Sequence, residues 1–114
     1  MCEGDILLMQ LEIPLQTVEY AARKAFGKGV KVVLNPAPAR SLPKELFRHL
    51  YMVTPNRIEA EMLTGIKIAN DADVEKVAEE ICAMGVKNVI ITLGSKGCLI
   101  REEGVSYRID AFKV

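Results

Sequence analysis

Short apolar runs alternate with segments of helical periodicity along the chain of 114 residues, and this alternation restricts the fold more than any other feature. A strand-length run with few polar residues is typical of a buried parallel strand, and a helical segment between two such runs indicates a crossover. We therefore predict an α/β fold, a Rossmann-like three-layer αβα arrangement around a mainly parallel sheet. The four runs are Ile6–Leu11, Val30–Leu34, Tyr51–Thr54 and Val89–Leu93.

The segments between these strands carry signals for helices. Proline suits a helix start, asparagine suits the residue before it, and glycine suits the end. The predicted helices are Pro14 to Gly27, Lys44 to Leu50, Asn56 to Leu63 before Gly65, and Asn70 or Asp71 to Met84 before Gly85. In the first of them the apolar residues that share a face are Leu15, Val18, Ala22, Ala25 and Phe26.

The pattern changes after Gly94, where two short strands predict an antiparallel hairpin, Cys98–Arg101 with Val105–Ile109. No repeat or linker divides the sequence, so we expect residues 1–114 to form one domain.

Composition excludes several classes of function. Fifteen Lys and Arg balance fifteen Asp and Glu, so no basic excess favours nucleic acid or a membrane surface. The apolar runs fall short of the roughly 20 residues that a membrane span needs, and no secretory signal is visible. We expect a cytoplasmic protein whose three cysteines are reduced thiols.

Ligands of open α/β sheets bind beyond the carboxyl ends of the strands. The polar segments predicted there are Gln10–Glu12, Asn35–Pro38, Thr54–Glu59 and Thr92–Gly97. They contain carboxylates, amides, hydroxyls and glycines, with no histidine or cysteine nucleophile. Such a set suits the positioning of phosphates and hydroxyls better than acyl transfer.

Each of these segments also has a purely structural interpretation. Asn56 with Glu59 fits an anion site at a helix start with a nearby magnesium ion, but local pattern favours a capping box. The glycines of Thr92–Gly97 allow close approach to a nucleotide, or simply a turn between strands. Glu12 is either a ligand for sugar hydroxyls or a solvated loop carboxylate.

Taken together, the ordered motifs resemble the ribokinase and phosphofructokinase-B family of sugar kinases. The motifs are Met9–Glu12, Asn35–Ala39, Thr54–Glu61 and Val89–Gly97. The resemblance implies ATP-dependent phosphorylation of a furanose sugar, most simply the 5-hydroxyl of D-ribose, with Mg²⁺ accompanying ATP or ADP. It assigns Glu12 to the sugar, Asn56 and Glu59 to the phosphates and the hydrated magnesium, and Thr92, Gly94, Ser95 and Gly97 to the nucleotide.

The same resemblance places several family features outside this sequence. They are an N-terminal sugar-binding segment, the lid and dimer strands, and a Gly-Ala-Gly-Asp segment that carries the catalytic base and a K⁺ site. The base aspartate is expected beyond Val114, so the resemblance assigns no catalytic residue within the chain. We therefore expect a partial kinase domain that is inactive alone, because a missing base removes about 10²- to 10⁴-fold in rate.

Association of chains is a further expectation. The resemblance implies that the parent is a homodimer. The open edge of the first strand, Ile6–Leu11, also predicts that this chain associates with itself, because an exposed apolar edge can pair with another strand. Light scattering measures this association, and a uniform monomer would contradict it.

Two alternatives remain open from the sequence. One is another sugar or nucleoside kinase of the same family. The other is a non-catalytic module that binds a nucleotide or a protein partner. Arg57 departs from the acidic residue that the family often carries between Asn56 and Glu59, and we expect its side chain to point outward.

Overall fold

The computed structural model describes residues 5–10, 14–37 and 42–110. Six strands form one sheet in chain order, parallel from β1 to β4 and antiparallel from β4 to β6. This confirms the predicted α/β sheet with its C-terminal hairpin. The strands are β1 (Ile6–Gln10), β2 (Lys31–Asn35), β3 (Met52–Val53), β4 (Asn88–Thr92), β5 (Cys98–Glu102) and β6 (Val105–Ile109).

Four α-helices connect the parallel strands: α1 (Leu15–Gly27), α2 (Lys44–Phe47), α3 (Arg57–Thr64) and α4 (Asp71–Ala83). The polar residues that the sequence indicated as caps act as such. Asn56 and Asn70 accept hydrogen bonds from the backbone N–H groups of Glu59 and Asp73, and Gly65 ends α3 at a φ of 74°. None of the helices in the described ranges is long and apolar enough to cross a bilayer.

The core lies between one face of the sheet and the helices. Alternate strand residues point toward the helices, and five of them have no exposed surface. They pack with the apolar faces of α1 and α4, whose buried residues recur every three or four positions. The five strand residues are Val32, Leu34, Val53, Val89 and Ile91.

The opposite face of the sheet is open in the described part of the chain. In β1, Ile6 and Leu8 are 63% and 74% exposed, whereas Met9 on the helical side is buried. Parallel connections are right-handed, and these strands follow one another across the sheet, so successive crossovers bring their helices to the same face. The described residues therefore supply two of the three predicted layers, the sheet and one layer of helices.

Two ion pairs hold the hairpin against α4. Arg108 lies 2.9 Å from Asp71 at the start of that helix, and Arg101 lies 3.8 Å from Glu79. The hydrogen bond from Arg108 lowers the pKa of Asp71, because it stabilises the ionised carboxylate. Asp71 is therefore an anion that already has a cationic partner.

Candidate functional site

The Asn56–Glu59 motif and the glycine-containing segment Thr92–Gly97 meet at the carboxyl ends of β3 and β4. Asn56 forms a parallel bridge with Thr92, and the Thr92 N–H donates to the Pro55 carbonyl at 3.0 Å. These contacts extend the β3–β4 pairing past the short strand β3. The start of α3 and the chain that leaves β4 are therefore fixed side by side, at the edge where open α/β sheets bind ligands.

Asn56 and Glu59 form a reciprocal capping box. The Glu59 N–H donates to Asn56 Oδ1 at 2.8 Å, and the Asn56 N–H donates to Glu59 Oε1 at 2.9 Å. Glu59 is only 7% exposed, and no other hydrogen bond to its carboxylate is made by the described residues. The capping interpretation is therefore correct, and it leaves Oε2 able to accept a hydrogen bond from a bound group.

The start of α3 also presents backbone donors. The first N–H groups of a helix lack intrahelical partners, and those of Arg57 and Ile58 have none among the described residues. They lie at the positive end of the helix dipole, which favours an anion. Both residues line a cleft of about 650 Å³ that opens in front of α3.

The segment after β4 forms a tight turn that makes the facing wall of this cleft. Gly94–Lys96 is one 3₁₀ turn, closed by hydrogen bonds from Lys96 N–H to Leu93 O and from Gly97 N–H to Gly94 O. Gly94 adopts a φ of 61° and Gly97 a φ of 91°, which other residues rarely adopt. The Gly94 and Ser95 N–H groups donate to no described residue, so the turn offers two backbone donors.

A third wall comes from the connection between α3 and α4, which the sequence did not single out. Arg57 donates from Nη2 to the Ile68 carbonyl at 2.7 Å, and Glu61 Oε2 accepts from the Ile68 N–H at 2.7 Å. Arg57 is exposed, which agrees with the expectation that it points outward, and its guanidinium also fixes this connection. Residues so far apart in sequence leave no local pattern that predicts the contact.

Two basic side chains, Arg57 and Lys96, line the cleft. Arg57 and Glu61 are engaged with Ile68, and Asp71 is paired with Arg108. Lys96 also lines the cleft and forms no ion pair within 4 Å in the part of the chain that the structure describes. A flexible ammonium group of this kind suits a phosphate. The sequence gives no local signal for a role of Lys96, because a lysine in a turn is usually a solvated residue.

No group of three His, Cys, Asp or Glu side chains that could hold a metal ion occurs within the described ranges. Mg²⁺ commonly keeps several water ligands and binds through one carboxylate together with substrate phosphates. Glu59 does not line the cleft, but its carboxylate is buried in the first turn of α3 beside the lining residues Asn56 and Ile58, a position compatible with that mode.

The structure brings most of the predicted site residues together. Asn56, Thr92, Gly94 and Ser95 line the cleft, and Glu59 lies buried at its margin in the first turn of α3. Gly97 closes the turn by donating its N–H to the Gly94 carbonyl, and it does not line the cleft.

Two predicted features of the site fall on residues outside the described ranges. Glu12 is the predicted sugar contact, and Val114 is the residue beyond which the resemblance places the catalytic aspartate. The sugar contact and the position of the base therefore both stay predictions.

Comparison with known proteins gives a consistent result. A model of the pfkB family of carbohydrate kinases matches residues 2–114. The ribokinase of Haemophilus influenzae is 47% identical over 112 residues, which cover 98% of this chain and 37% of that protein. The ribokinase of Staphylococcus aureus is 40% identical over 111 residues, with coverages of 97% and 36%.

A solved structure resembles the fold closely. The structure of Arabidopsis thaliana ribokinase complexed with ribose and ATP superposes with a TM-score of 0.86 at 28% identity, covering 92% of this chain and 34% of that one. The chain thus spans a little over a third of the length of these relatives.

Proposed function

The chain belongs to the pfkB family of carbohydrate kinases, and from that premise we propose that it forms the nucleotide-binding side of an ATP-dependent sugar kinase. The observation that carries this proposal is the junction of the α3 start with the Gly94–Lys96 turn at one cleft. Residues on two sides of the cleft carry backbone N–H groups that have no acceptor among the described residues. Phosphoryl transfer depends on such positioning and charge neutralisation more than on covalent chemistry by the protein.

Each group at the cleft has a defined part in this proposal. The N–H groups of Arg57 and Ile58 and the α3 dipole stabilise a phosphate at the helix start. The N–H groups of Gly94 and Ser95 hold the nucleotide on the other side, and Lys96 neutralises phosphate charge. Glu59 orients water around Mg²⁺, which when bound screens the negative charge of the phosphates.

The sugar is proposed to be D-ribose, phosphorylated on its 5-hydroxyl, because the two curated relatives compared above are named ribokinases. Glu12 is its proposed contact. Another sugar or nucleoside kinase specificity is the alternative, since Glu12 is the only sugar contact that the sequence nominates. A homodimeric parent and a K⁺ activator outside this chain complete the proposal.

Transfer also needs a group that takes the proton of the sugar hydroxyl, and the proposal places that base beyond Val114. Of the described carboxylates in or beside the cleft, Glu61 contacts Ile68, Asp71 is paired with Arg108, and the second oxygen of Glu59 is the one proposed to orient magnesium-bound water. We therefore infer that the 114-residue chain binds nucleotide without transferring phosphate. Formation of ribose phosphate from ATP and D-ribose by this chain would contradict that inference.

Calorimetric titration with ADP and Mg²⁺ tests nucleotide binding directly. We expect one binding site per chain, and we expect Lys96→Gln to weaken it about tenfold, since one hydrogen bond to a charged group contributes about 1.5 kcal/mol. Lys76→Gln is the matched control, because Lys76 is exposed on α4 outside the cleft. The absence of binding to the folded chain, or equal affinity in both variants, would refute the assigned cleft.

A further inference from the structure

A second cavity, of about 220 Å³, opens at the amino ends of the parallel strands, whereas the candidate site lies at their carboxyl ends. Lys31 begins β2, Tyr51 directly precedes β3 and Lys87 directly precedes β4, so all three lie at the amino ends of parallel strands. A five-residue strand rises about 17 Å, which separates this cavity from the cleft at the carboxyl ends. We call it the basal pocket, defined by Phe26, Lys31, Arg48, His49, Tyr51 and Lys87.

The charge around the basal pocket has one sign. Its charged lining residues are Lys31, Arg48 and Lys87, and no carboxylate lines it among the described residues. Arg48 is partly neutralised by Glu45 at 2.6 Å, and both side chains of that pair are exposed. The chain as a whole has 15 basic and 15 acidic residues, so the basic residues around this pocket are a local excess of positive charge. The pocket therefore attracts an anion.

Aromatic rings form part of its wall. The rings of Phe26 and His49 lie 5.2 Å apart at a tilt of 56°, and the Lys31 ammonium lies 4.6 Å above the Tyr51 ring. This cation–π contact holds a positive charge in a fixed place. Val30, Val32 and Leu50 are buried beneath, so the floor is apolar. Phe26 nonetheless remains 52% exposed, and a flat group bound against it would cover that surface.

We propose that the basal pocket binds a small phosphate monoester that carries a flat ring. Lys31 and Lys87 neutralise the phosphate, and the ring packs against Phe26 and His49. The volume lies below the roughly 300 to 1,000 Å³ of drug-sized sites, so the ligand is a compact molecule rather than a whole nucleotide. This site is independent of the nucleotide cleft.

Phenyl phosphate is the probe, with inorganic phosphate and phenol as its separate halves. In an NMR titration of the 114-residue chain we expect phenyl phosphate to bind at least tenfold more tightly than either half. The largest amide shifts should fall at residues 29–32 and 48–51. Combining Lys31→Gln with Lys87→Gln should weaken binding at least tenfold, and Phe26→Ala should reduce the affinity to that of inorganic phosphate.

The matched control is Lys44→Gln with Lys67→Gln, which removes the same charge from exposed positions outside the pocket. Equal weakening by both pairs would overturn the proposal, because net charge alone would then explain binding. Shifts confined to residues 92–96 would overturn it in favour of the nucleotide cleft. Lys96→Gln should leave this binding unchanged, so its outcome and that of the ADP titration are separable.

Discussion

Gly85→Ala should lower the free energy of unfolding by about 4 kcal/mol, the sum of two effects of 1–3 kcal/mol each. Gly85 adopts a φ of 122°, a backbone conformation that residues with a side chain rarely adopt. A methyl group there would also lie 3.0 Å from the Arg48 Cα and 3.1 Å from the Arg48 nitrogen. Because these are backbone atoms, they cannot rotate away as a flexible side chain would.

Two other glycines make a graded control for this substitution. Gly65 has a φ of 74° but open space around it, so Gly65→Ala should show only backbone strain of about 1 kcal/mol. Gly27 is the last residue of α1 and has nothing near its added methyl, so Gly27→Ala should stabilise by about 0.4–1 kcal/mol. Urea denaturation followed by circular dichroism measures all three. Equal losses for Gly85→Ala and Gly65→Ala would show that the Arg48 contact relaxes.

Gly85 illustrates what a sequence can and cannot predict. Its role as the stop of α4 follows from local pattern, because a helical run ends there and glycine permits the unusual backbone. Its close approach to Arg48 does not, because that contact joins the end of α4 to the residue that follows α2. The same distinction between local and long-range information applies to the candidate site.

Phe26 and Phe47 show the same limit. Helical periodicity placed Phe26 on the buried face of α1, yet it is half-exposed beside His49, whereas Phe47 in the short helix α2 is 2% exposed. Periodicity states which residues share a face of a helix. It does not state how far the neighbouring element covers that face, and α2 covers only part of α1.

The order and pairing of the strands could be predicted because they depend mainly on local signals. Strand-length runs and turn residues are local signals, and right-handed connections leave few topologies for them. The described helices cover one face of this sheet, and Ile6 and Leu8 are exposed on the other. An apolar run such as Ile6–Leu11 indicates a strand that is buried on both sides in a complete sheet, but it does not identify what provides the second cover.

Asn56 and Glu59 combine two interpretations that the sequence set against each other. Local pattern favoured a capping box, and the family resemblance favoured a phosphate and magnesium site. The hydrogen bonds establish the cap but use only one carboxylate oxygen of Glu59 among the described contacts. A capping box can therefore be the scaffold that orients a carboxylate for a metal-bound nucleotide.

Substitutions of Glu59 should separate these two roles. Glu59→Gln keeps an oxygen that accepts the Asn56 N–H, so the free energy of unfolding should change by less than about 1 kcal/mol. It removes the negative charge, so the gain in ADP affinity produced by Mg²⁺ should fall about 10- to 100-fold, as for other groups that orient metal ligands. Urea denaturation and ADP titration with and without Mg²⁺ provide the two measurements.

Glu59→Ala is the complementary variant because it removes both functions. It leaves the Asn56 N–H without its acceptor, and we expect a loss of about 1–3 kcal/mol in stability besides the loss of the Mg²⁺ effect. Glu75→Gln controls for charge, since Glu75 is exposed on α4 and does not line the cleft. If Glu59→Gln binds ADP with an unchanged dependence on Mg²⁺, then Glu59 serves only as a cap and the magnesium role assigned to it is wrong.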